Sequence, residues 1–300
     1  MNETGDQAHI SDSAFAAASS LPSSYELVLE PGRADRDYWL DLWRYRELLY
    51  ILAWRDISVR YKQTFIGVAW ALIQPLLSML VMTVIFSRVA GLPSEPGSPY
   101  AVMVLAGMLP WQFFSSSLTS SSQSLVSNAQ LISKVYFPRM IIPLSSVIVS
   151  FVDLLISFAL LLAVLAWYRS WPDGRIVVLP LLMLLVLFAA LGPGLLITAL
   201  NVKYRDFRYV IPFIVQFGLY LSPVGYRSSV IRERFGDTIF TLYSLNPMVG
   251  IIDSFRWAIL GGASPIDLRT IALSGGIVLI LLVLGAWYFR RTERSFADAI

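Results

Sequence analysis

The sequence predicts an all-α membrane protein, with six transmembrane helices per subunit. It adds an N-terminal amphipathic interface helix and short re-entrant outer helices between spans 5 and 6. Three observations carry this expectation. Of 300 residues, 56% are hydrophobic and 14% charged, against roughly 45–50% and about 25% in soluble domains. Six apolar segments approach the roughly 20 residues that a helix needs to cross a hydrocarbon core. Lys and Arg alternate between sides: fifteen fall on one side, three in the short loops of the other. That asymmetry is the positive-inside pattern and puts both termini in the cytoplasm.

Residues 1–36 are polar, begin rich in Ser and Ala, and show no basic stretch leading into an apolar one. They read as a disordered cytoplasmic tail rather than a signal peptide. Residues 37–62, "DYWLDLWRYRELLYILAWRDISVRYK", mix rings with charges, and their apolar run Leu48–Trp54 is too short to span. A helix of that kind lies in the membrane interface. The alternative, a soluble core helix, sits poorly just before a spanning segment.

The six-span domain occupies 63–300. Its spans are expected at Gly67–Phe86, Tyr100–Leu125, Met140–Tyr168, Ile176–Leu200, Tyr209–Tyr226 and Ile271–Phe289. Pro75 and Pro110 are tolerable inside a bundle, and Gly192-Pro193-Gly194 predicts a kink. The fifth span is short and carries Pro212 and Pro223. Segment 227–270 holds the remaining five cations and an apolar stretch of about a dozen residues within Pro247–Gly262. That length suggests two short helices dipping into the outer leaflet beside a cavity. Asp253 and Arg256, three apart, can pair on one face.

The chemistry available is narrow. There is no cysteine, and the single histidine, His9, lies in the tail, which removes thiolate, disulfide and histidine-metal chemistry from the membrane part. Lys62, Lys134 and Lys203 are the only lysines, and none follows a glycine-rich loop, so no P-loop is present. Asp153 is the one ionisable group well inside a span; it is expected to bond a neighbouring helix. If the chain moves something uphill, the energy is then expected from a partner. Tyr209, Phe213, Phe217 and Tyr220 share one helical face. Such rings can stack on sugars; ordinary packing or a membrane belt is the alternative. The serines between Ser115 and Ser124 are expected to serve helix packing.

Four stretches carry a resemblance: "RYKQTFIGVAWALIQPLLSMLV" (60–81), "NAQLISKVYFPRMIIPLSS" (128–146), "NVKYRDFRYVIPFIVQFGLYLSPVGY" (201–226) and "LNPMVGIIDSFRWAILGG" (245–262). Together they resemble the permease subunit of polysaccharide ABC exporters, the ABC type 2 family that exports O-antigen, capsule or teichoic acid. The resemblance implies a homodimer in the bacterial inner membrane, binding two copies of a separate ABC ATPase. ATP and Mg would be bound by that partner. This chain would carry no catalytic residue, metal or cofactor, and would contact membrane lipids but no nucleic acid. The substrate would be a lipid-linked glycan moved through a channel formed by spans 1 and 5.

Residue by residue, the resemblance assigns ATPase coupling to Asn128, Ser133, Lys134, Tyr136, Phe137 and Arg139, with Lys203, Arg205 and Asp206 on the next loop. Pro138 would stop the coupling helix. Channel lining falls to Trp70, Tyr209, Phe213, Phe217, Tyr220 and Tyr226, and the outer gate to Asp253, Arg256 and Trp257. Two alternatives stand beside this reading. One is a superfamily relative exporting a small lipid, lipo-oligosaccharide or drug. The other is a membrane glycosyl- or acyltransferase, which the missing histidine, cysteine and paired carboxylates oppose.

Overall fold

A long apolar segment in lipid satisfies its backbone groups internally only as a helix or a closed barrel. The computed structural model describes residues 34–62, 65–204, 206–261 and 266–296, and among them every regular element is helical. Two compact units are distinguished, residues 1–41 and 42–300. In the first, helix α1 (Ala34–Arg44) begins, and Tyr38 meets Trp39 edge to face at 5.9 Å. Residues 1–33 of the expected tail lie outside the described residues, and its last three are already helical.

The second unit continues with α2 (Arg46–Lys62), then α3 (Phe65–Thr83), which a π-helical turn prolongs over Val84–Val89. Next come α4 (Tyr100–Ser127), α5 (Ala129–Lys134) and α6 (Ile141–Trp167). A 3-10 turn at Gly174–Val178 leads into α7 (Leu179–Lys203), followed by α8 (Phe207–Leu221). Helices α9 (Ser229–Tyr243), α10 (Pro247–Leu260) and α11 (Leu268–Glu293) complete it.

Among the described residues, five helices are long and apolar enough to cross a membrane: α3 from Ala69 with its π turn, α4, α6, α7 with its 3-10 turn, and α11. The chain is a multi-pass membrane protein. The expected fifth span is shorter than the others. Helix α8 has 15 residues, about 22 Å at 1.5 Å per residue. Its end has a local cause: Pro223 disfavours helical backbone at the residue before it, and Ser222 is extended at φ −105, ψ 147.

Helix α4 is the centre. Val102 to Ala106 have no exposed surface, as befits a stretch that is apolar all round. Between helices in lipid there is little water to expel, so close contact and hydrogen bonds hold the bundle. The serine-rich half of α4 supplies both. Thr198 Oγ1 donates to the Ser121 carbonyl at 2.8 Å, and Asn201 Nδ2 to that of Ser122 at 2.7 Å. Helix α7 runs on through Gly192-Pro193-Gly194, where its glycines admit neighbours. A Cβ on Gly192 would lie 2.7 Å from the Leu281 carbonyl carbon, and one on Gly194 would lie 2.8 Å from Ser121 Oγ.

Candidate functional site

Two turns emerge side by side where α4 and α7 end, because the Ser121–Thr198 and Ser122–Asn201 bonds join those ends. In the first turn Asn128 links elements. Its Nδ2 donates to the Ser124 carbonyl at 2.9 Å, while its Oδ1 accepts from Arg55 of α2 at 3.1 Å. Helix α5 then lasts six residues. Ser133 and Lys134 are exposed, and Tyr136 is 75% exposed.

Two expected contact residues face inward instead. Phe137 is 4% exposed, buried by its own chain. Arg139 is tied to the end of α11: its amide donates to Glu293 Oε1 at 2.7 Å and its guanidinium to the Glu293 carbonyl. The projecting tip is therefore Ser133–Tyr136. Pro138 also differs from expectation. Helix α5 has ended at Lys134, with Val135 extended. Pro138 instead opens the turn into α6, its carbonyl accepting from Ile141 N at 3.1 Å. In the second turn Lys203 and Asp206 are exposed, with Lys203 Nζ 5.3 Å from the Tyr204 ring centre. Arg205 lies outside the described residues.

Asp153 anchors α2 to α6. Its Oδ2 lies 2.8 Å from Arg60 NH1, and its Oδ1 accepts from the Tyr61 hydroxyl. Burial first, and then that bond to Asp153, raises the Tyr61 phenol above its ordinary value, so it remains a donor.

Along α8 the four rings stay open within the chain. Tyr209, Phe213, Phe217 and Tyr220 are 77%, 59%, 51% and 59% exposed, and Phe213 and Phe217 lie 4.2 Å apart. The opposite side rests on α4, where a Cβ on Gly218 would meet the Trp111 ring at 2.6 Å. Packing inside one chain therefore does not account for these rings. Trp70 on α3 is exposed as well. Tyr226 belongs elsewhere. Its hydroxyl donates to the Tyr220 carbonyl at 3.1 Å and pairs with the Tyr243 hydroxyl at 3.0 Å, and its ring lies 6.1 Å from Phe86.

Tyr226 is part of a knot around the turn after α8. Arg256, with no exposed surface, donates to three carbonyls: Met103 at 3.2 Å, Tyr226 at 2.8 Å and Val224 at 2.8 Å. Tyr100 donates to the Gly225 carbonyl at 2.5 Å, and Asn246 Nδ2 to Ser222 Oγ at 3.0 Å. Gly107 makes room, since a Cβ there would fall 2.9 Å from Arg256 NH2.

Arg256 thus spends its donors on carbonyls, while Asp253, which takes a hydrogen bond from Ser228, still lies within its electrostatic reach. A planar guanidinium with five donors suits several carbonyls at once. Trp257, half-buried, lies under Arg175 at 5.1 Å. The missed signal was Gly107, a glycine inside an apolar helix, which marks close approach.

The ABC-2 type transporter family matches residues 47–260. Over 260 residues the chain is 28% identical to an O-antigen export system permease protein RfbA of Myxococcus xanthus, covering 87% of this chain and 98% of the relative. An O-antigen export system permease protein RfbA of Klebsiella pneumoniae is 30% identical over 259 residues, with 85% and 95% covered. The polysialic acid transport protein KpsM of Escherichia coli is 21% identical over 248 residues, with 80% and 92% covered.

Proposed function

The chain belongs to the ABC-2 type transporter family, and on that premise we propose that it is the permease subunit of an ATP-driven polysaccharide exporter. Its cargo would be a lipid-linked glycan, O-antigen-like or capsular, crossing the bacterial inner membrane. The observation that carries this reading is the open aromatic face of α8, in a chain similar over most of its length to O-antigen export permeases. Sugar rings have apolar C–H faces, and aromatic side chains offer large apolar area with a polar tip.

In this reading α8 is the fifth of six crossings, completed by the turn that Arg256 holds. The exposed faces of α3 and α8 line a channel in a homodimer. Both termini are cytoplasmic. Two copies of an ABC ATPase bind ATP and Mg and grip Ser133–Tyr136, with Lys203 and Asp206 beside them. Helix α2 is the interface helix, fixed by Asp153 and Asn128. Deleting the gene and fractionating the cells for long-chain glycan tests this. Polymer accumulating in the cytoplasm and leaving the surface is expected. Unchanged surface glycan would sink the reading and favour a small-lipid cargo.

A further inference from the structure

Two ties hold opposite ends of α11. At its C-terminal end Glu293 takes the Arg139 amide at 2.7 Å and the Arg139 guanidinium on its carbonyl. Phe289 and Phe296 meet there edge to face at 5.3 Å, both without exposed surface, so this end is packed. At its N-terminal end Asp267 uses both oxygens. Oδ1 accepts from the amides of Arg269 at 3.0 Å and Thr270 at 3.5 Å, capping the helix. Oδ2 holds the Arg232 guanidinium of α9 at 2.5 Å. Burial pushes this carboxyl up, but the Arg232 and backbone bonds outweigh it and hold it below the usual carboxylate range. Between the two ties α11 is unbroken for 26 residues, about 39 Å.

An unbroken helix passes displacement along its axis, because shortening it would break its backbone hydrogen bonds. Arg139 sits three residues beyond the exposed Tyr136. Resting on the exporter reading above, we infer that α11 is the rod that carries a push on the cytoplasmic loop to α9. Arg232 and Asp267 are the positioning residues that hold α9 to it. Helix α10 is locked to α4 and to the turn after α8 through Arg256, and meets α11 at one bond, the Gly250 amide donating to Ser274 Oγ at 3.2 Å. Helix α9 is held differently. Gly236, at φ 81 and ψ 175, divides it in two; Arg232 spans the break, 3.2 Å from Asp237 and 4.1 Å from the Phe240 ring centre, and fastens the helix to the rod through Asp267.

The chain has no cysteine, so Thr238→Cys places a single exposed reporter on α9. The full chain, reconstituted with its ATPase subunit, is labelled by a membrane-impermeant maleimide with and without Mg-ATP. A nucleotide-dependent rate change of roughly fivefold or more is expected, the lower end of typical coupling between sites. Asp267→Asn keeps a capping side chain but loses the charge. It and Arg232→Ala should abolish the change while ATP hydrolysis continues, and Arg232→Lys should restore part of it. A response in Asp267→Asn and Arg232→Ala equal to the parent's overturns the rod and leaves the exporter standing. So does a parent that exports glycan with no change at the reporter. A chain that neither binds the ATPase nor exports glycan removes the exporter reading, and the rod with it.

Discussion

Helices α9 and α10 are consecutive, have 15 and 14 residues, and are built in opposite ways. In α10, Val249, Ile251, Ile252, Phe255, Arg256 and Ala258 have no exposed surface, and Pro247 with Asn246 starts the helix cleanly. In α9, Phe235, Ile239 and Leu242 are exposed, and Gly236 interrupts the helix. A fully buried guanidinium bonded to three carbonyls ties α10 to α4 and to the turn after α8. Swinging α10 outward would strand that charge and its acceptors together. In the exporter reading proposed above a gating element has to move, and α9 is the less buried of the two.

The sharpest way to break this contrast is Arg256→Met. Each buried carbonyl left without a donor costs about 1–3 kcal/mol; those of Val224 and Tyr226 lose theirs, while Met103 keeps its bond within α4. The loss should reach about 2 kcal/mol or more, a large share of ordinary stability. Thermal unfolding in detergent, with yield of monodisperse protein, checks it. An Arg256→Met chain as stable as the parent would mean that α10 is not locked.

The glycines make a finer test. A Cβ on Gly250 would collide with Ser274 Oγ and lie 2.8 Å from the Thr270 carbonyl oxygen, overpacking worth about 1–3 kcal/mol. Gly236 has nothing within 4 Å of such a Cβ, but its φ is +81, strain worth about 1–3 kcal/mol in other residues. Similar losses therefore have different remedies. Ser274→Ala should partly relieve Gly250→Ala, while no neighbouring substitution should relieve Gly236→Ala. Melting temperatures of the single and double variants decide.

Much of the fold was legible because it depends on the length of apolar runs. The bounds of α4, α6 and α11 fall within a few residues of expectation. What the sequence concealed depends on which partner a side chain meets. Arg139 and Lys134 look alike in the sequence, as cations in a polar loop, yet one is bound to Glu293 and the other is exposed. Phe137 and Tyr136 are adjacent rings with opposite burial. Asp253 and Arg256 satisfy the spacing rule for pairing and do interact, but the spacing gave no sign of the three carbonyls, from α4 and the turn after α8, that take the Arg256 donors. Local spacing lists the partners within reach; tertiary neighbours choose among them.

The smallest expected effect lies on the exposed face of α9. Phe235→Ser with Ile239→Ser removes apolar groups that this chain does not bury. Stability in detergent should stay within about 0.5 kcal/mol of the parent, as for surface changes away from special features. If α9 moves as the rod inference requires, export should fall nonetheless, because this face would meet lipid or a second copy. Thermal unfolding beside a glycan export assay separates the two effects. A drop in melting temperature comparable to that of Arg256→Met would show that α9 is packed as firmly as α10, and the division of labour between them would collapse.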